Sequence, residues 1–534
     1  MFNKIKITKI FFRNIIIVTF AIAIFYINTS YFNKHKTSLY LEKEILTTEM
    51  KSSIQKTILK NNNKLIINVY KDINYNPLWT KNYELTPIAK DFLHLLKNHK
   101  YYGIPNSSEY EYLISLSKKI KTSKSKEDLI DNRLQFEIET THRFINFLNF
   151  LIYGINQNQN ILLEKELYPI ILHSLKNNKI INLPEYLFYK KNKNIYNLQR
   201  AIKNFLDNLK IDTTKIFLIT NDKEKIKNDI ITYFKKTYGY NHINDSMFTE
   251  LLIKYQKYTG LEETGELDKK TIRLFKNSTY YLYCKMILNF ERYKTFTPTD
   301  SFYIWINIPS YNLKVIKNDT IIKEFRIIVG KKETPTPLFT SYIDKIIINP
   351  EWVVPPSIIE KEIINLIKKD KTYLIKNKFY VKNISDTIDL YELLKKNSNI
   401  KLTQKAGDKN ALGRLKFCIN NPYQIYIHDT PSKHLFKNET RAYSHGCIRI
   451  EKAEDFAQIL IDYCKIDNIN LKEFISNDNT KVIYLTKFIP VYITYFTCYA
   501  DKNGNLSFYE DIYNYDDENI TAIQNNQLNF NTTN

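Results

Sequence analysis

Hydrophobic positions change their period along the chain. From about Leu41 to Lys235 they recur three and four apart. Ile88, Phe92, Leu95 and Leu96 make one stripe and Phe144, Phe147, Leu148 and Leu151 another, the spacing of amphipathic helices. Clusters such as Asn61-Asn62-Asn63 and Lys190-Lys191-Asn192-Lys193 mark the connections, so the pattern predicts a helical scaffold over 40–240. A smaller helical unit follows at 241–280. There Asp245 is placed to cap a helix with Phe248, Leu251, Leu252 and Tyr255 on one face, and Asp268 to cap a shorter helix carrying Ile272 and Phe275. From Tyr303 the period falls to two. Strands are predicted at Tyr303–Ile308, Tyr311–Ile316 and Ile321–Val329, then at Ile346–Asn349, Ile425–Ile427 and Val482–Leu485. Asn503-Gly504 signals a hairpin near 491–509. A Lys-rich helical stretch at about 358–405 interrupts this mainly β region of 290–515, and the Asn/Asp-rich residues 516–534 read as a disordered tail. The fold class expected is α+β, multidomain.

The first 35 residues are of another kind. Lys4, Lys6, Lys9 and Arg13 precede an apolar run from Ile15 to Ile27 broken only by Thr19. No small-residue cleavage site follows, which predicts an uncleaved signal-anchor in the cytoplasmic membrane with the remainder in the periplasm or envelope. Composition narrows the rest. The chain is 43% hydrophobic, with 10 Gly and 15 Pro in 534 residues, which excludes disordered, collagen-like and linker-like proteins. Five Cys cannot form a disulfide scaffold. The net charge of +22 comes from 68 Lys against 10 Arg spread along the whole chain. A nucleic-acid interface would gather Arg on one face, so no nucleic-acid partner is expected.

Gly, Arg, His and Cys are the scarce letters, 34 in all, and ten of them fall in the 39 residues from 411 to 449. They are Gly413, Arg414, Cys418, His428, His434, Arg441, His445, Gly446, Cys447 and Arg449. Three chemistries compete for this window. In the first, Cys447 is a nucleophile whose thiol loses its proton to His428, which fifteen residues separate from Ser444-His445-Gly446-Cys447. His445 shares a face with Cys447 if the segment is extended, Gly446 permits close backbone approach, and the Gly446 and Cys447 amides can line an oxyanion site. In the second, Cys418, His428, His445 and Cys447 hold zinc, but only His445 and Cys447 have the close spacing of a metal knuckle. In the third they are buried packing residues, as Cys464 on the apolar face of Ala453, Phe456, Ala457 and Leu460 is expected to be.

His428, the fifteen-residue gap and Ser444-His445-Gly446-Cys447 resemble the active-site signature of the L,D-transpeptidases, cysteine enzymes of peptidoglycan. The likeness extends to ILNFERY at 287–293, Asn349-Pro350-Glu351-Trp352-Val353-Val354-Pro355, Ala411–Phe417 and PVYITYFTCYADKNGNLSFYEDIY from 490. FTELLIKYQKYTGLEETGELDKKTIRLF, from 248, resembles the three-helix peptidoglycan-binding repeat. Together these resemble the large, membrane-anchored subtype over about 60–515. The resemblance implies Cys447 as nucleophile, His428 as general base steadied by a backbone carbonyl, and an oxyanion side made by His445, Gly446 and the Cys447 amide. It implies Ser444 as loop support, Arg449 as a contact for a substrate carboxylate, and Tyr426, Trp352 and Arg414 as further pocket residues. It also implies a cap at 358–405, no cofactor or metal, stem peptides as partners, and inhibition by β-lactams of the carbapenem type. The reaction implied is 3→3 cross-linking through a thioester. A non-catalytic wall-bound scaffold and a carboxypeptidase or endopeptidase using the same thiol are the alternatives.

Overall fold

The computed structural model describes residues 46–525, except 61–63, 82, 105–106, 155–167, 170, 176, 178–179, 214–221, 383–389 and 398–399. The expected anchor in 1–35 lies outside the described residues. Two compact units meet in sequence between Gln199 and Arg200, so residues 200–240, expected in the scaffold, fold with the second unit. Periodicity marks helices but not which unit each one joins.

The first unit is helical. The helix Pro87–Lys97 starts where Thr86 accepts the Ala89 N–H and Pro87 fills the first turn, and Lys126–Tyr153 starts where Ser125 accepts from Asp128. The two predicted stripes are buried. Phe92, Phe144 and Trp79 meet edge to face or tilted, with Trp79 and Phe92 each against Phe144 at 5.3 Å. Inside this core Glu137 is fully buried and accepts from the backbone of Leu78 and Trp79 and from the Tyr70 hydroxyl.

In the second unit the small helical segment spans Asp245–Thr259 and Lys269–Phe275. Asn244, not the expected Asp245, caps the first helix by accepting from Met247, while Asp268 caps the second as expected. The motif glutamine, Gln256, is buried. Its amide donates to Thr264, Glu266 and Thr271 and accepts from Gly265, which locks the turn between the helices.

The β region contains β1 (Phe302–Asn307), β2 (Asn312–Lys317), β3 (Thr320–Gly330), β4 (Phe339–Ile348), β5 (Trp352–Val353), β6 (Phe379–Val381), β7 (Leu402–Gln404), β8 (Leu415–Ile419), β9 (Tyr426–His428), β10 (Ala442–Ser444), β11 (Ile448–Ile450) and β12 (Lys481–Thr494). Nine of these form one sheet in the order β10-β3-β11-β9-β8-β4-β12-β1-β2, and β2 also pairs with β3. Eight strands therefore close on themselves and leave β10 alongside β3. The core is Ile- and Phe-rich, including Ile304, Ile327, Ile346, Phe417, Ile427 and Ile448, and is sealed by the helix Ala453–Cys464 through Phe456, Ala457 and Leu460. Cys464 lies in it, as expected.

Two expectations are corrected. The insertion has its own small core of Val354, Ile359, Ile363, Ile367, Leu374, Phe379, Leu394 and Leu402. It is not purely helical, because β5, β7 and β6 form a three-stranded sheet within it. The tail is ordered at its start. Asp516 is fully buried, paired with Arg292 at 2.7 Å and Lys285 at 3.7 Å, and the helix Asp517–Gln524 follows with Ile520 and Ile523 buried.

Candidate active site

Strand register builds the site. Ile427 of β9 lies beside Ile448 of β11, both fully buried in the barrel core, and His428 lies beside Arg449. Strand side chains alternate faces, so Tyr426, His428, Cys447 and Arg449 all point to the outer face. On the other side of β9, Lys416 pairs with His428 and Cys418 with Tyr426. His428 and Cys447 are diagonal neighbours on adjacent strands. With strands ~4.8 Å apart and a two-residue rise of about 6.6 Å, their Cα atoms lie ~8 Å apart, a gap that an imidazole and a thiol reaching from opposite sides can close.

The surroundings hold both groups uncharged. His428 is 4% exposed. Burial, then the Arg449 charge, lowers its pKa to about 3, against the pull of the Asp429 and Leu412 carbonyls. Its Nδ1–H donates to the Asp429 backbone carbonyl at 2.5 Å, which leaves Nε2 as a proton acceptor. The Asp429 carboxylate turns elsewhere, to the Arg414 N–H at 2.9 Å and to Lys433. Burial also raises the Cys447 thiol. The Tyr426 N–H and hydroxyl and the charges of Lys416 and Arg449 pull it back toward ionisation. Sγ approaches the Gln424 carbonyl at 3.9 Å.

The loop presenting Cys447 is tied down from several directions. Ser444 is buried. Its Oγ accepts the Gly446 N–H at 3.1 Å and donates to the Cys447 carbonyl at 2.5 Å. Ser444 thus supports the loop and is not open to a ligand. The Gly446 amide is already bonded, so of the two amides expected to line an oxyanion site only that of Cys447 remains. Thr336 donates to the Gly446 carbonyl at 2.8 Å and accepts from Gly330, and the Tyr513 hydroxyl bridges Thr336 N–H and the Gly330 carbonyl. Gly446 has φ +113°, and a Cβ there would meet Ile425 at 3.2 Å. Gly413, at φ +62°, is required more sharply, since a Cβ would lie 2.3 Å from Asp429 Oδ2.

His445 does not turn to the thiol. Its Nε2 pairs with Glu362 of the insertion at 2.9 Å, in a π-helical turn, Ile359–Ile363. The bend at 445–446 breaks the extended geometry that would have put His445 and Cys447 on one face. Arg449 Nε is buried with no hydrogen-bond partner, and Cys447 and Glu362 are the groups that favour its charge. Trp352, on β5, is near enough to the Tyr426 hydroxyl to favour its ionised form, which brings the insertion to the site. Arg414 is not a pocket residue. Its guanidinium is committed to Asp408, Asp478 and Asn349. Among the described residues no three His, Cys, Asp or Glu side chains converge as a metal site. Sequence reasoning missed Glu362, Thr336 and Tyr513, and the one visible signal for them was the turn-forming run Thr334-Pro335-Thr336-Pro337.

Residues 301–483, which contain every residue of this arrangement except Tyr513, match the L,D-transpeptidase catalytic domain, and residues 64–195 match the scaffold domain. Residues 301–483 therefore carry an L,D-transpeptidase catalytic domain. A Haemophilus influenzae protein provisionally named an L,D-transpeptidase is 31% identical over 218 residues, 40% of this chain and 44% of that protein. The chain thus spans less than half the length of that curated relative. An L,D-transpeptidase from Mycobacterium smegmatis is similar at 15% identity over 36% of this chain and 58% of its own, with a TM-score of 0.20. One solved in complex with imipenem is similar at 13% identity over 36% and 59%, with a TM-score of 0.20. The matched catalytic domain is the closed β region with its insertion.

Proposed function

We propose that Cys447 attacks the peptide bond between the third and fourth residues of a peptidoglycan tetrapeptide stem and that the acyl group passes to a second stem as a 3→3 cross-link. The observation that carries this is the shared outer face of β9 and β11, where His428, its Nδ1–H fixed on a backbone carbonyl, stands diagonal to Cys447. The thiol proton moves to His428 Nε2 as the C–S bond forms. The imidazolium then protonates the departing D-alanine amine, leaving a thioester. The amine of the acceptor stem attacks it, the C–N bond forms as the C–S bond breaks, and the proton the amine loses passes to His428 Nε2 and from there to the departing sulfur. The Cys447 N–H is the amide available to the oxyanion, with His445 beside it, and the buried, unpartnered Arg449 Nε suits a substrate carboxylate. The insertion, reaching the site through Glu362 and Trp352, serves as a cap that excludes water and favours aminolysis over hydrolysis.

In this reading residues 1–35 anchor the protein in the cytoplasmic membrane with its domains in the periplasm, and the Gln256-locked segment at 241–280 holds peptidoglycan. The test is intact-mass spectrometry with a carbapenem, whose strained amide the same thiol should open. A covalent adduct that is absent in Cys447→Ala supports the assignment. An adduct unchanged by that substitution refutes it. Incubation with tetrapeptide stems should release D-alanine and give a dimer, whereas release without dimer would make the protein a carboxypeptidase.

A further inference from the structure

The outer face that carries the thiol does not end at the site. Register extends it strand by strand: Tyr426 of β9 pairs with Cys418 of β8, Cys418 with Lys345 of β4, and Lys345 with Tyr484 of β12. The core-facing neighbours Phe417, Ile346 and Ile483 are buried, so this row lies wholly on the outside. At its far end the surface is aromatic and open. Tyr484 is 71% exposed and Phe488 66%, and Phe488 stacks on Tyr342 at 4.5 Å between ring centroids. Tyr342 is held upright by the Asn420 amide at 2.7 Å. Lysines stand along the row, Lys416 with Nζ 3.9 Å from the Tyr426 ring centroid and Lys345 with Nζ 6.0 Å from that of Tyr484. The acid recorded beside them is Asp344, at the β4 irregularity. Stability does not explain exposed aromatic rings on a sheet already closed on itself.

We propose that this aromatic row binds the carbohydrate of the donor substrate, stacking pyranose rings on Tyr484, Phe488 and Tyr342 while its peptide stem runs back to Cys447. The proposal rests on the acyl-transfer reading above and adds a second, glycan subsite to it. Reach supports it. Four strand spacings from Cys447 to Tyr484 are ~19 Å, whereas three extended residues of stem cover ~10 Å. Those ~10 Å end over β8, two spacings from Cys447, so the sugar chain joined to the stem there runs on over β4 and β12, where the open rings are. Charge agrees as well, because free carboxylates on the stem pass over Lys416 and Lys345.

The experiment uses full-length protein carrying Cys447→Ala, so that bound donors survive, with and without Tyr484→Ala and Phe488→Ala. Dissociation constants are measured for a tetrapeptide stem and for the same stem joined to its disaccharide. The expected result is at least tenfold tighter binding of the sugar-bearing donor, lost in the double aromatic variant, with binding of the bare stem unchanged within twofold. Equal affinity for both donors, or a sugar preference that survives loss of the rings, overturns the proposal. Carbapenem acylation of protein with Cys447 intact and both rings removed reports separately on folding and on the nucleophile. Normal acylation without a sugar preference overturns the glycan subsite alone, and absence of acylation in the unsubstituted protein overturns the acyl-transfer reading whatever the binding shows.

Discussion

Acidification should unfold this domain partly through a single ring. His428 titrates near its ordinary 6.5 in the unfolded chain but only at about 3 in the folded one, because burial and Arg449 disfavour its charged form. Between those values the unfolded state binds more protons, so stability rises with pH through the window. The contribution is intact above about pH 6.5 and is lost progressively as pH falls toward 3. Over the whole window the loss approaches about 5 kcal/mol, and by pH 4 it is already about 3 kcal/mol. The assay is urea unfolding of the wild type and of His428→Gln at pH 7.5 and pH 4, followed by tryptophan fluorescence. The substitution destabilises at both pH values, but that cost cancels when the two pH-dependent losses are subtracted. Wild type should lose about 3 kcal/mol more than the variant on going to pH 4. Equal losses would show that the ring is protonated as readily in the fold as outside it, and the account of its burial would be wrong. The same account requires the rate of carbapenem acylation to show no inflection near pH 6.5, since the base is already free of its second proton there.

Other outcomes follow from the supports of the site. Gly413→Ala should destabilise by about 2 kcal/mol or more, through its positive φ and the clash with Asp429, in thermal or urea melts. It should also slow acylation, because Asp429 carries the carbonyl that orients His428. Tyr426→Phe removes a hydroxyl that favours the thiolate, so the midpoint of iodoacetamide alkylation of Cys447 against pH should move upward; an unchanged or lower midpoint would contradict the contact. Tyr513→Phe removes the bridge between Thr336 and Gly330 and should cost about 1–3 kcal/mol in urea melts, with slower acylation.

The candidate site was legible because its letters are rare in a chain dominated by Lys and Asn, and because period-two alternation fixes which side chains share a face. Tyr426, His428, Cys447 and Arg449 converge through that alternation alone. What escaped were contacts that no local pattern encodes. Arg414 carries a motif letter, but its carboxylate partners Asp408 and Asp478 lie on separate loops. Glu362 sits among many Lys-flanked acids with nothing to mark it as the partner of His445. The strands β5, β6 and β7 are two or three residues long, too short for alternation to be read, so the insertion looked helical throughout. The residues after Asp516 have the composition of a loose tail, yet Arg292 and Lys285, more than two hundred residues earlier, bury that aspartate. Asn244 outcompeted Asp245 as a cap because the chain enters the helix one residue sooner than charge alone suggests.

The bridge from Tyr513 to Thr336 and Gly330 joins positions 177 and 183 residues apart. Pairings of that sequence separation form late, after nearer contacts have lowered the entropy of closing so large a loop. The shelf beneath Gly446 is therefore expected to assemble late, which Tyr513→Phe should show as faster unfolding with an unchanged folding rate. On that expectation a nascent or half-folded molecule carries the signature before the turn that presents Cys447 is anchored.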